Sequence, residues 1–214
     1  SDSIVKPGID PYRSRLFSVS LREGSLQNIE PVTIDGVDVG LNQGAASLSA
    51  NGNYLYFTQW KKENGKTISA VYYARKNGDG WSAPALIPLV NIGTYNSKQP
   101  FCTADGKYLF FASDRPGGYG QFDIWYAIIK QDGTTGEPIN AGATLNTAVN
   151  EQAPFHHSGS GTLVFSSDRT PGMGGFDLFS AKGKESEWSK PENMGHPVNS
   201  SRDDLYFFAS EKET

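Results

Sequence analysis

Hydrophobic residues along this chain come in short bursts rather than at helical intervals. Tyr54-Leu55-Tyr56-Phe57, Tyr108-Leu109-Phe110-Phe111 and Thr162-Leu163-Val164-Phe165 are compact, and Asn-Gly, Asp-Gly, Gly-Gly and Pro-Gly steps punctuate the polar stretches between such tracts. Aromatic and β-branched tracts bounded by such steps read as strands and tight reversals. No segment keeps apolar residues on one helical face for three turns. The pattern therefore predicts an all-β chain.

The bursts recur at a fixed interval. Residues 113–124 read Ser-Asp-Arg-Pro-Gly-Gly-Tyr-Gly-Gln-Phe-Asp-Ile, and residues 167–178 read Ser-Asp-Arg-Thr-Pro-Gly-Met-Gly-Gly-Phe-Asp-Leu, 54 residues later. Ala50-Asn51-Gly52 matches Ala104-Asp105-Gly106 at the same spacing, and the tract 69–74 aligns with 123–128 and 177–182. Extrapolation places an earlier third strand at 16–21 and a later first strand at 204–208, the latter set against 152–156. Each unit holds four strand-like tracts, in the best copy 99–103, 107–113, 122–130 and 137–143. A lone four-stranded antiparallel sheet cannot bury both faces, whereas sheets stacked around an axis can. The expected fold is a β-propeller of four-stranded antiparallel blades with a repeat of about 54 residues, spanning 1–214 as one domain.

The Ser-Asp-Arg phrase reads as the hairpin between the second and third strands. Asp114 and Asp168 are expected to cap backbone N–H groups two residues ahead, while the glycines supply positive φ. Arg115 and Arg169 are expected to pair with Asp123 and Asp177, which begin the returning strand. A calcium or anion site built from Asp114, Asp123 and the glycine-rich backbone is the alternative, although the alternating oxygen ligands of a calcium loop are missing. Tyr119 and Met173 stand at equivalent loop tips, and Trp60 stands where the first copy departs from Ser-Asp-Arg. They are candidates for partner contact, set against side chains that fold back on their own hairpins or cover a blade edge.

Other chemistry is sparse. His156 and His157 are adjacent, so in a strand they point to opposite faces and cannot share a metal. The repeat copies its carboxylates, whereas a catalytic pair is more naturally unique, and no Gly-x-Ser-x-Gly elbow is present. Cys102 is the single cysteine and reads as a small buried hydrophobe. A net charge of −4 without a basic stripe argues against nucleic-acid binding, and no apolar run is long enough for a membrane-spanning helix. No cofactor or metal is expected.

The tract Tyr-Leu-Phe-Phe-Ala-Ser-Asp-Arg-Pro-Gly-Gly-Tyr-Gly followed by Phe-Asp-Ile-Trp resembles TolB-type, WD-repeat-like propellers. More narrowly, it is similar to the propellers of OmpA-family periplasmic proteins of Bacteroidetes, a type IX secretion component among them. Trp81-Ser82-Ala83-Pro84 and Trp188-Ser189-Lys190-Pro191 fit the Trp-Ser-x-Pro step of that family, but Thr135-Gly136-Glu137-Pro138 does not. The resemblance implies a non-enzymatic docking platform in the periplasm, associated with the outer membrane, whose partners are envelope or secretion-system proteins. Peptidoglycan contact would belong to a flanking domain. A propeller glycosidase or glycan-binding module with a central acidic pocket is the alternative. The chain carries four blades' worth of sequence with one second strand poorly represented. Lys6 falls in register with Trp60, and Glu211 with Thr103. Either 204–208 joins 16–21 to close a four-bladed ring, or the chain is part of a larger protein with a five- or six-bladed ring, the reading that the resemblance favours.

Overall fold

A computed structural model describes residues 13–22 and 25–209, and no helix occurs among them. Strands β1 (Phe17–Arg22) and β2 (Ser25–Pro31) form a hairpin. The first sheet contains β3 (Asn42–Leu48), β4 (Tyr54–Glu63) and β5 (Lys66–Asn77), with short β6 (Gly80–Trp81) and β7 (Ala85–Leu86) both paired to β5. The second contains β8 (Ser97–Cys102), β9 (Tyr108–Ser113), β10 (Asp123–Ile128) and β11 (Ile139–Asn140) in consecutive order. The third contains β12 (Glu151–His157), β13 (Thr162–Ser167) and β14 (Asp177–Lys184), with β15 (Glu187–Trp188) and β16 (Glu192–Asn193) both on β14. All strand pairs within these sheets are antiparallel.

The middle strands are apolar on both faces because both are covered. β9 is buried from Leu109 to Ser113, and β13 from Leu163 to Ser167. Tyr56, Val71, Ile87, Leu109, Phe111 and Trp125 form a cluster between the first and second sheets. Phe110, Ile124, Tyr126, Leu163, Phe165 and Phe179 form another between the second and third. Ile34, Leu55, Phe57 and Trp81 bridge the hairpin side and the first sheet. The core is thus divided into slabs between sheets, as stacking requires.

The Trp-Ser-x-Pro step has a clear local role. Ser82 Oγ accepts from Arg75 N at 3.0 Å, and Ser189 Oγ accepts from Lys182 N at the same distance. Each serine also donates its own N–H back to that partner's carbonyl, so the chain leaves the third strand without breaking the ladder. A second recurring device clamps the start of that strand. Asn91, Asn146 and Asn199 each accept through Oδ1 from the N–H, and donate through Nδ2 to the C=O, of Val71, Ile124 and Leu178 respectively.

This clamp corrects the alignment of the first copy. It makes Val71 the counterpart of Ile124, so Ala70, and not Ser69, stands opposite Asp123. The cause is the direct β4–β5 hairpin, closed by Asn64-Gly65 and one residue longer than the loops that replace it in the other two sheets. Residues 204–208 are shifted likewise. Ser200 N and Oγ both donate to the Asp204 carboxylate, as Thr147 N and Oγ1 donate to Glu151, so Asp204 corresponds to Glu151 rather than Gln152.

Residues 204–208 do not close the ring on β1. Asp204 N donates to Phe176 O at 2.7 Å, which docks this segment beside the third sheet. Among the described residues no hydrogen bond joins it to β1, whose partner is β2. Lys6 and Glu211 lie outside the described residues.

Candidate binding face

The innermost strands converge on one feature. Ala45 (φ 40°), Gln99 (φ 55°), Ala153 (φ 51°) and Tyr206 (φ 64°) are non-glycine residues in the left-handed region, all at the same phase. In β3, β8 and β12 this residue sits at a register shift against the neighbouring strand. Such bulges twist a strand and re-aim its side chains, and strain of this kind persists only where the surroundings enforce it. Gln99 makes the enforcement visible. Its N donates to Thr58 Oγ1 at 2.8 Å, its Oε1 accepts from Ala153 N at 3.1 Å, and its Nε2 donates to Tyr206 Oη at 3.0 Å.

Two cavities open on either side of this waist. One, of about 520 Å³, is polar and cationic, with Lys62, Lys98, Gln152 and the rings of Trp60, Phe122 and Tyr206 in its wall. The other, of about 510 Å³, is lined by Phe101, Phe155, Phe207 and Phe208. Among the described residues no aspartate or glutamate lines either one. The described residues thus give neither cavity the acidic lining that the glycosidase alternative requires. Trp60, expected as an exposed anchor or an edge cover, is half-buried in the wall of the polar cavity.

The Ser-Asp-Arg loops are built differently from expectation. Asp114 points backward rather than forward: Asn96 N and Nδ2 donate to its two oxygens at 2.6 and 2.8 Å. Asp168 holds Asn150 in the same way, at 2.8 Å for both bonds. Each carboxylate thereby ties the end of a second strand to the residue just before the first. Asp123 and Asp177 are buried and cap the loops: Asp123 accepts from Tyr119 N at 2.6 Å and Gly120 N at 3.1 Å, and Asp177 from Met173 N at 2.5 Å and Gly174 N at 3.1 Å. Asn140 and Asn193 also donate to them and pass the network to Asn146 and Asn199. With their oxygens engaged by N–H donors, these groups serve the fold. No group of three or more His, Cys, Asp or Glu side chains suited to a metal ion occurs among the described residues.

The expected pairing of Arg115 with Asp123 and of Arg169 with Asp177 is not found, because the arginines fold back under the sheet. Arg115 donates to the carbonyls of Leu89 and Val90, and its guanidinium lies 5.1 and 5.2 Å from the Phe111 and Trp125 ring centres. Burial pulls it down to about 10, against the attraction of Glu137. Arg169 lies beside the stacked Phe165 and Phe179 rings, 5.1 and 4.9 Å from their centres, donates to Leu145 O, and forms a 2.9 Å ion pair with fully buried Glu151. The glycines at 120 and 174 provide room rather than positive φ. A Cβ there would lie 2.2 Å from Thr147 O and 2.0 Å from Arg202 O.

Tyr119 and Met173 are 53% and 47% exposed on backbones that these carboxylates fix. Phe122 closes the loop that carries Tyr119 and also lines the polar cavity. Loop tips and cavity mouth thus share one end of the sheets. Sequence reasoning missed Lys98, Gln152 and Phe122. A signal was present: Lys98 and Gln152 are 54 residues apart and hydrogen-bond across neighbouring sheets.

The chain matches no protein-family model and no curated protein. Among solved structures it is similar to an α-L-arabinofuranosidase from Lactobacillus brevis, with a TM-score of 0.52 and 17% identity, covering 81% of this chain and 63% of that one. It is also similar to a protein assigned as TolB from Agrobacterium tumefaciens, with a TM-score of 0.50 and 13% identity, covering 87% and 64%. A puromycin hydrolase gives a TM-score of 0.51 at 13% identity, covering 83% and 27%. The chain thus spans between about a quarter and two thirds of these proteins' lengths. The likeness supports a TolB-like propeller fold and nothing narrower. It also corrects the expectation that the chain is not an enzyme: hydrolases stand beside TolB at the same level of likeness, so the fold leaves catalysis open.

Proposed function

We propose that this chain is a docking propeller of the bacterial envelope, periplasmic and associated with the outer membrane. It would be a module of the kind found in OmpA-family proteins of Bacteroidetes, serving a secretion or envelope complex. It binds partner proteins through the end of the sheets that carries the loops 114–122 and 168–176. The observation that carries this reading is the pair of apolar tips, Tyr119 and Met173, held outward on loops whose backbone N–H groups are locked by buried carboxylates. Rigid apolar anchors lose little entropy on binding, which is what an interface hot spot needs. Likeness to TolB and the sequence resemblance support the setting.

The test is capture from a periplasmic extract by the wild-type chain and by the double variant Tyr119→Ala/Met173→Ala. Loss of two such anchors is expected to weaken capture about tenfold or more, with an unchanged melting temperature. Undiminished capture would remove these residues from the interface. A large fall in melting temperature would make them parts of the fold.

A further inference from the structure

Lysine is among the side chains least often buried without a partner, and Lys98 is largely withdrawn from solvent at the polar cavity. Its Nζ donates to Gln152 Oε1 at 2.6 Å and lies 3.8 Å from the centre of the Phe122 ring. Burial pulls the ammonium down to about 8, with Asp114 the one charge drawing it back up. Among the described residues no carboxylate oxygen lies within 4 Å of it. A neutral amide and a ring face leave this cation short of a counter-charge.

The rest of the wall has the same bias. The Gln99 amide is committed to Ala153 and Tyr206, and that of Asn96 to Ser69 and Asp114. The charged groups that remain are both cationic, the Lys98 ammonium and the exposed ammonium of Lys62, with Gln152 Nε2 and the hydroxyls of Thr58, Thr67 and Ser69 beside them. Three flat rings, Trp60, Phe122 and Tyr206, stand around them, and among the described residues no acidic side chain lines the space. Two ammonium groups, one of them at the rim, and no arginine suit a monoanion better than a phosphate, whose charge calls for more cationic donors.

We propose that this cavity binds a small organic carboxylate, its oxygens on Lys98 and Gln152, with Lys62 at the rim and the aromatic rings against its body. A volume of about 520 Å³ accommodates a ligand of sugar or short-peptide size. The site stands whether or not the loop tips dock a protein.

Calorimetry on the intact chain tests it with galacturonate, galactose, a short peptide with a free carboxyl terminus, the same peptide amidated, and inorganic phosphate. One carboxylate is expected to bind about tenfold or more tightly than its neutral counterpart, and which of the two does so names the source. Lys98→Met should lose that preference. Gln152→Glu, which supplies the missing charge from the protein itself, should lose it in a folded chain even if Lys98→Met fails to fold. At pH 8 binding should take up protons, read as different heats in Tris and HEPES, because a bound anion stabilises the ammonium. The other titratable groups at the cavity, Lys62 and Tyr206, and Asp114 behind Lys98, are retained in both variants. Equal binding of charged and neutral probes, binding of phosphate alone, no binding, or an unchanged preference in the folded variants would overturn the proposal.

Discussion

Asn146 accepts from the Ile124 N–H and shares the Ile124 C=O with the Ala141 N–H, and Asn91 and Asn199 do the same at Val71 and Leu178, where Ile87 and Met194 are the second donors. Asn146→Ala would leave the buried Ile124 N–H unmet and its C=O with the Ala141 N–H alone, and is expected to cost about 1–3 kcal/mol in urea unfolding. A change within error would show that water replaces the clamp. These asparagines were hard to find in the sequence because the clamps are not evenly spaced. A strict comparison at 54 residues sets Asn146 against Ile92 and Ser200. Lys98 was overlooked for another reason: its 54-residue offset from Gln152 was visible, but their meeting across neighbouring sheets was not. Between pH 8 and the ordinary lysine value near 10.5, the folded chain binds fewer protons than the unfolded chain. Raising the pH through that window therefore stabilises wild type relative to Lys98→Met, by at most about 1.4 kcal/mol per pH unit. A flat difference in denaturation free energy from pH 7 to 10 would contradict the burial of the charge.

At the scale of elements, the copies that form the second and third sheets were largely readable. Tracts 99–103, 107–113 and 122–130 became β8, β9 and β10 within two residues at each end. The outer strand was predicted too long, at 137–143 against Ile139–Asn140, because Gly142 N turns onto Asn140 Oδ1 and ends the pairing. Turn chemistry identified the Ser-Asp-Arg loop as a reversal but misassigned its bonds. Asp114 and Arg115 reach back to residues before β8, contacts that local pattern does not encode. Phe165 shows what the sheets gain from stacking. It is fully buried, stacked on Phe179 at 6.2 Å, in a cluster that includes Phe110, Ile124 and Tyr126 from the adjoining sheet. Phe165→Ala should lower unfolding free energy by about 3–5 kcal/mol. Near-unchanged stability would mean that the two sheets do not share this slab.

For the whole molecule, the compact apolar bursts and the interval between copies pointed to stacked sheets. The left-handed residues Ala45, Gln99, Ala153 and Tyr206 were not foreseeable, since none of them is a glycine. They place the waist between a cationic and an aromatic cavity, and only the cationic mouth lies at the end with the Tyr119 and Met173 tips. That asymmetry makes a directional claim. Turns containing Asn51 and Asp105 lie at the opposite ends of the strands. The direct measurement is site-specific photo-crosslinking in cells, with the reactive residue placed in turn at 51, 105, 119 and 173. The account predicts protein adducts from 119 and 173 and none from 51 and 105. Adducts from the turn positions alone would contradict it.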